Sequence, residues 1–128
     1  MSAFNNKALE QFSKALIDLS ANTIKARLVR TSGYTIADND VVNSLPATIG
    51  ADVTLGTKVE SLGTFDAADA VFTAISSGAA IDSVVLIKDT GTPASDPVIC
   101  QITGFSVTPN GGDITIQWQN TTPWIFKI

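Results

Sequence analysis

Apolar residues recur along the chain with two different spacings, and each spacing predicts a type of element. Between residues 5 and 19, Leu9, Phe12, Leu16 and Leu19 recur every three or four positions, as on one face of an amphipathic helix. From residue 24 onward, apolar and polar residues mostly alternate, which is typical of strands with one buried face. The pattern therefore predicts one N-terminal helix over residues 5–19, followed by a series of β-strands.

The predicted strands are short and differ in how deeply they are expected to be buried. Ile24, Ala26 and Leu28 alternate with polar residues, whereas the apolar run within 81–88 leaves no solvated face and predicts the most buried strand. A helical turn remains an alternative near Ala70. The predicted strands cover residues 24–29, 51–55, 59–62, 65–75, 81–88, 98–103, 113–118 and 124–128.

Turn-forming residues separate these strands. Residues 89–97 are rich in Gly, Pro, Thr, Ser and Asp, which favour turns for distinct reasons. The pair Asn110–Gly111 tolerates the positive φ angles of a type I′ turn, so it predicts a hairpin that joins strand 98–103 to strand 113–118. Residues 32–50 are irregular, and a segment of this length in a compact domain often makes contacts.

Seven or eight short strands, with a turn signal about every ten residues, are typical of all-β folds. We therefore predict a single β domain over residues 1–128, mainly β, as a jelly-roll-like β-sandwich or barrel with one N-terminal helix. No internal repeat or linker divides the chain. The core is predicted to contain Leu28, Val53, Val84, Leu86, Ile99, Ile102, Ile114 and Ile116.

Composition narrows the classes of function. The chain of 128 residues is 45% hydrophobic and only 16% charged, with a net charge of −4. Its surface must therefore be covered by uncharged polar residues or by other protein. The acidic balance argues against nucleic-acid binding, and the cations Lys25, Arg27 and Arg30 are interpreted as a solvated strand face. Without a long apolar run or a signal-peptide pattern, we expect no membrane partner and synthesis in the cytoplasm.

The sequence offers little for catalysis. It has no histidine, which excludes Ser-His-Asp and Cys-His nucleophile pairs, and its one cysteine, Cys100, is interpreted as a buried small hydrophobe. Asp66 and Asp69 are interpreted as edge or turn residues. Asp38 and Asp40 lack the glycine and distal glutamate of a calcium loop. We expect no enzyme activity, no metal and no cofactor.

Aromatic and apolar residues near the chain ends predict an interaction surface instead. The end strand, residues 124–128, carries three large apolar side chains on one face and gains stability if a partner covers it. An alternative is that Trp118 or Trp124 stacks on a sugar. The candidate oligomer or partner interface contains Phe4, Phe12, Trp118, Trp124, Phe126 and Ile128.

Four segments, taken in order and spacing, resemble a family of small virion structural proteins of tailed bacteriophages. The segments are residues 23–29, 64–73, 86–99 and 110–118, and the resemblance covers nearly the whole chain except residues 37–50. Members of this family tend to open with a helix, and they are placed on the head or on the tail of the particle.

The resemblance implies a structural protein of the virion that is made in the host cytoplasm. Within the virion, we expect a capsid decoration (cement) protein on the outer surface of the head, because a small, acidic β domain with few surface charges suits oligomerisation over a shell. Its partners are then the major capsid protein and itself, as a homotrimer matched to local threefold positions. The alternative is a tail- or neck-associated protein that binds host-surface carbohydrate.

Overall fold

The structure, a computed structural model, describes residues 2–4, 8, 10, 14, 16–19, 21–37, 40–61, 64–118 and 126–127. These residues are mainly β, as predicted. A short 3₁₀ helix, Val42–Ser44, lies within the irregular segment. The strands are β1 (Ser2–Phe4), β2 (Ile24–Val29), β3 (Val53–Thr54), β4 (Val59–Ser61), β5 (Thr64–Asp66), β6 (Ala70–Phe72), β7 (Ser83–Lys88), β8 (Val98–Ile102), β9 (Ile114–Ile116) and β10 (Phe126–Lys127).

The described strands form three antiparallel sheets, and none of these closes into a barrel. The largest sheet has the order β1-β8-β7-β2-β3, and the two smaller sheets have the orders β10-β5-β4 and β6-β9. The pairing of β2 with β7 runs from Ile24 opposite Lys88 to Val29 opposite Ser83. Strand β7 is therefore the centre of the five-stranded sheet.

One face of the five-stranded sheet carries the main core. Leu28, Val84 and Leu86 are completely buried there, and residues of both smaller sheets pack in the same cluster. Every residue of the predicted core is found in this cluster, although Val53 and Ile102 are only partly buried. The largest fully buried side chains from the smaller sheets are Phe65 and Phe72.

The opposite face of the same sheet is also buried. Val85 and Ile87 of β7 lie there, covered by side chains of the irregular segment. Because the apolar run of β7 places large side chains on both faces, the chain must supply a cover on each. Residues 34–37 and 40–45 are this second cover, which we call the outer layer. Its apolar contributors are Tyr34, Ile36, Val42 and Leu45.

Buried polar groups fix the outer layer to the sheet. The Gln101 side chain accepts a hydrogen bond from the Ile36 N–H (2.9 Å) and donates to the Tyr34 carbonyl and to Ser83 Oγ (both 3.1 Å). Ser83 Oγ in turn donates to the Val29 carbonyl at 3.2 Å. No described buried side-chain polar atom lacks a partner, which is what a low-dielectric interior requires.

A β-bulge changes the faces of strand β8. Leu86 lies opposite Cys100, but the next residue, Ile87, lies opposite Val98, so Ile99 is the extra residue. Val98 consequently packs under the outer layer, while Ile99 and Cys100 pack in the main core. The simple alternation expected of this strand is interrupted at that point.

The predicted hairpin across Asn110–Gly111 is wrong. Strand β9 pairs with β6, with Ala70 opposite Ile116, and it does not pair with β8. Gly111 has a φ of 91°, but among the described residues the only non-glycine positive φ angles are at Thr57 and Ala74, so Asn110 does not form a type I′ turn. Instead, the Gly111 N–H donates to the Ile75 carbonyl and the Ile75 N–H donates to the Gly112 carbonyl, which holds the loop beside the segment that follows β6.

The predicted helix over residues 5–19 is present only in fragments among the described residues. Ala8 and Glu10 are helical, and the Lys14 N–H donates to the Glu10 carbonyl at 3.1 Å. Residues 16–18 are not helical, so the predicted C-terminal end is wrong. The Asn22 amide oxygen accepts from the Asp18 N–H (2.7 Å), an alternative partner that competes with the helix. Most of the remaining range lies outside the described residues.

The single predicted strand 65–75 is instead two strands, β5 and β6, and no helical turn forms between them. The strands predicted at 24–29, 81–88 and 98–103 are confirmed, with a shorter start for β7. The predicted strand at 51–55 is reduced to Val53–Thr54. Of the predicted end strand, the structure describes Phe126–Lys127, which pair with β5.

We expect Gly50→Ala to lower the free energy of unfolding by roughly 2–4 kcal/mol, from the left-handed backbone and from overpacking. Gly50 has a φ of 72°, and a Cβ there would lie 2.4 Å from Cδ1 of Ile75, a side chain that is itself buried. The matched control is Gly91→Ala, because Gly91 also has a positive φ but faces open space. Urea unfolding of both variants measures the difference, and equal losses would show that Ile75 yields to the added methyl group.

Candidate interaction surface

The three cations near β2 are engaged within the chain. The Arg27 guanidinium forms a two-pronged ion pair with Asp52, with both distances at 2.9 Å, and only 11% of its side chain is exposed. Lys25 Nζ lies 2.8 Å from an Asp89 carboxylate oxygen. Arg30 donates twice to the Ala79 carbonyl. The interpretation of these residues as a simple solvated face is therefore wrong, since each one has a specific partner.

Several of the described aspartates serve as hydrogen-bond acceptors that hold loops. Asp40 accepts from the Tyr34 hydroxyl at 2.6 Å and from the Ala37 N–H at 2.9 Å. Burial, with Asp40 adding to it, raises the pKa of the Tyr34 phenol. Asp69 accepts from the Trp118 N–H at 3.2 Å. Among the described residues, no three His, Cys, Asp or Glu side chains are grouped so that they could hold a metal ion; Asp38 lies outside this part of the chain.

Cys100 is completely buried, as its sequence context predicts. Loss of hydration disfavours the thiolate and raises the pKa of the Cys100 thiol to about 12. A thiol that is protonated at neutral pH is a poor nucleophile. The side chain therefore contributes packing in the main core.

Trp118, one of the predicted interface residues, belongs to the core instead. Only 6% of its surface is exposed, and its indole Nε1–H donates to the Ala68 carbonyl at 3.0 Å. An indole in this position has almost no exposed surface with which to contact a partner protein or stack on a sugar. The alternative of sugar stacking is then left with Trp124, which lies outside the described residues.

The other predicted interface residues are at the ends of the chain. The backbone of Phe4 pairs with Cys100 at the β1 edge of the five-stranded sheet, and that of Phe126 pairs with Phe65 at the β10 edge of a smaller sheet. The positions of their side chains, and the residues Phe12 and Ile128, are outside the described part of the chain. The structure thus places Phe4 and Phe126 at the edges of two different sheets.

Sequence reasoning missed an open groove of about 360 Å³ beside β9. One wall is the segment 105–107 and the other is residues 113–117, and both walls contribute apolar side chains, Val107 and Ile114 among them. The predicted hairpin made the segments before and after Asn110–Gly111 direct pairing partners. In the structure, Val107 pairs with Ile81 and β9 pairs with β6, so the groove lies between two segments that have other partners.

Acid should remove the contribution of the Lys25–Asp89 ion pair. Hydrogen bonds from Lys25 and from the Gly91 N–H lower the pKa of Asp89, and Asp89 raises the pKa of Lys25. The stabilisation by Asp89 is therefore complete above the ordinary aspartate pKa of about 3.9 and is lost as the pH falls through the lower folded-state value. The stabilisation by Lys25 is lost only as the pH rises through a value above 10.5.

We expect Asp89→Asn to lower the urea midpoint at pH 7, with a difference from the wild type that closes at acidic pH. The control is Asp66→Asn, since the structure describes no ion pair for Asp66. A difference that persists unchanged at about pH 2, below the ordinary aspartate pKa, would mean that the asparagine perturbs the loop by some route other than charge.

Comparison with known proteins finds no family model, no curated protein and no solved structure that matches the chain. None of the described helical segments is long and apolar enough to span a membrane.

Proposed function

We propose that this chain is a structural protein of a tailed-phage virion, and that it decorates the outer surface of the capsid as a cement protein. The observation that carries the proposal is the placement of the chain ends. Strand β1 is an outermost strand of the five-stranded sheet, and β10 is an outermost strand of a smaller sheet. Since no described strand pairs with their outer edges, both terminal strands are suited to adding strands from neighbouring subunits.

The character of the described surface agrees with a role in assembly. Large apolar side chains are exposed on strands at sheet edges, Val59 on β4 and Val71 on β6, each by about half of its surface (56% and 47%). The ion pairs of β2 are satisfied within the chain, and the whole chain has few charges. A surface of this kind loses little hydration free energy when another protein covers it.

The proposed architecture is a jelly-roll-like β-sandwich in which the five-stranded sheet forms one layer and the two smaller sheets form the other. The described strands agree with this in being antiparallel and in packing around one main core. An N-terminal helix, shorter than residues 5–19, completes the proposed domain. In the virion, this domain binds the major capsid protein and itself.

The proposed oligomer is a homotrimer. A trimer closes on itself through one repeated contact and matches the local threefold positions of an icosahedral shell. The repeated contact is proposed at the chain ends, where the candidate interface residues Phe4 and Phe126 lie on edge strands. The protein would be made in the host cytoplasm and added to the head during assembly.

Electron microscopy of particles labelled through a tag on this protein tests the proposal directly. We expect density at regular positions on the outside of the head, and particles lacking the protein to lose genome at lower temperature than intact particles. Density confined to the tail, or none on the particle, would contradict the cement role.

We also expect removal of residues 124–128 to weaken the oligomer before it unfolds the domain. The described part of this segment, β10, pairs with β5, with Phe126 opposite Phe65 and Lys127 opposite Thr64. Light scattering measures the oligomer and circular dichroism the fold, with Cys100→Ser as a control for a core change that leaves the ends intact. Unfolding of the truncated protein at concentrations at which the wild type remains oligomeric would place the segment in the core.

A further inference from the structure

The groove beside β9 has the chemistry of a strand-binding site. Its walls are the segment 105–107 and residues 113–117, and its volume of about 360 Å³ is within the range of ligand-binding clefts. Ile114 and Ile116 are largely buried beneath it, while Thr115 and Gln117 are exposed. The groove thus combines an apolar floor with a polar rim.

Backbone groups along both walls are available for pairing. Val107 exchanges two hydrogen bonds with Ile81, at 2.7 and 2.9 Å, and Ile81 does not line the groove. Because successive residues of an extended segment direct their backbone groups to opposite sides, we expect the N–H and C=O of Ser106, which lines the groove, to point away from Ile81. Within the described part of the chain, Ser106 makes no hydrogen bond. Strand β9 pairs with β6 along its other edge only.

We propose that this groove binds an extended arm of the capsid shell protein, which inserts as a strand between β9 and residues 105–107. Backbone hydrogen bonds to the two walls would hold the arm, and alternate apolar side chains of the arm would rest on Ile114 and Ile116. Naming the shell protein as donor rests on the proposed function above, whereas the strand-binding property of the groove does not.

We assign the occupant to another protein, since each described strand of this chain is already paired within its own sheet. A strand that enters between two walls needs two free edges, and every described strand is paired along at least one edge. The terminal strands are included, since β1 pairs with β8 and β10 pairs with β5. A described strand of a second copy would have to leave its own sheet to enter the groove.

Charge adds a feature to the expected arm. Asp113 stands exposed at one end of the groove, in a chain with a net charge of −4. A lysine or arginine on the solvent-facing side of the arm would be attracted to this carboxylate. The arm is therefore expected to alternate apolar and polar residues, with one basic residue near its end beside Asp113.

The probe, added to the full-length protein, is a synthetic peptide of about seven residues in which valine alternates with threonine. One threonine near an end of the peptide is replaced by lysine. We expect it to shift the amide NMR signals of residues 105–107 and 113–117. A peptide of the same composition with its valines grouped together is the control and should not shift them. Equal effects of the two peptides, or signals that change elsewhere, would overturn the proposal.

Variants of the groove test the mode of binding. Ser106→Pro removes the N–H that is expected to face the groove and should weaken peptide binding about tenfold, while Ser106→Ala keeps this group and should bind like the wild type. The Ile81 amide signal reports whether the wall itself remains folded. Asp113→Asn should weaken the lysine peptide and leave a threonine version of it unaffected. Unchanged binding in both Ser106→Pro and Asp113→Asn would contradict the proposed pairing.

Decoration of phage particles distinguishes a failure of this proposal from a failure of the proposed function. If the protein decorates heads and the Ser106→Pro variant, shown to be folded, decorates them equally well, the arm site is wrong while the cement role stands. If the alternating peptide binds in the groove but the protein is absent from the head, the cement role and the shell protein as donor are wrong while the strand-binding site stands.

Discussion

The burial of β7 on both faces is the constraint from which the rest of the structure follows. Its first five residues are all buried, so neither side can be left to water. Each buried branched side chain contributes about 1.5–3 kcal/mol relative to exposure, which makes an uncovered face very costly. The chain meets this need with strands on one side, in the two smaller sheets, and with the outer layer on the other.

An isolated antiparallel bridge, Val41 opposite Pro97, and a few side-chain hydrogen bonds join the outer layer to the five-stranded sheet. From within β8, the Gln101 side chain bonds Tyr34 and Ile36 of the outer layer, and it also bonds Ser83 of β7. The bulge at Ile99 allows β8 to serve both faces, since Val98 packs under the outer layer while Cys100 packs in the main core. A buried polar network of this kind is stabilising only when every member is satisfied, as it is here.

Elements defined by local periodicity could be predicted from the sequence. The alternation of β2 and the apolar run of β7 each determine which side chains must be buried, and the predicted core residues are in the cluster. Elements that depend on the choice of the pairing strand could not be predicted from the sequence. Asn110–Gly111 predicts a hairpin, but the chain only bends at 111–112 and β9 pairs with β6, because local sequence carries no information on which distant strand becomes the partner. The outer layer has no periodicity at all.

The candidate site was predictable only in part for the same reason. From the sequence pattern alone, a large aromatic residue such as Trp118 could belong to an interface or to the core. The structure assigns Trp118 to the core, because its ring is buried and its indole N–H donates to the Ala68 carbonyl. The groove beside β9 has no sequence motif, because it exists only where two segments pair with other partners. Edge positions of β1 and β10 likewise follow from topology rather than from their residues.

Hydrogen exchange of the Ile36 amide tests the account most directly. If the outer layer is an integral part of the core, this amide, bonded to the buried Gln101, should exchange about as slowly as the amide of Leu86 in the central strand. Exchange as fast as that of the exposed residues Thr92 and Ala94 would contradict this role, because the outer layer would then open independently of the sheet that it covers.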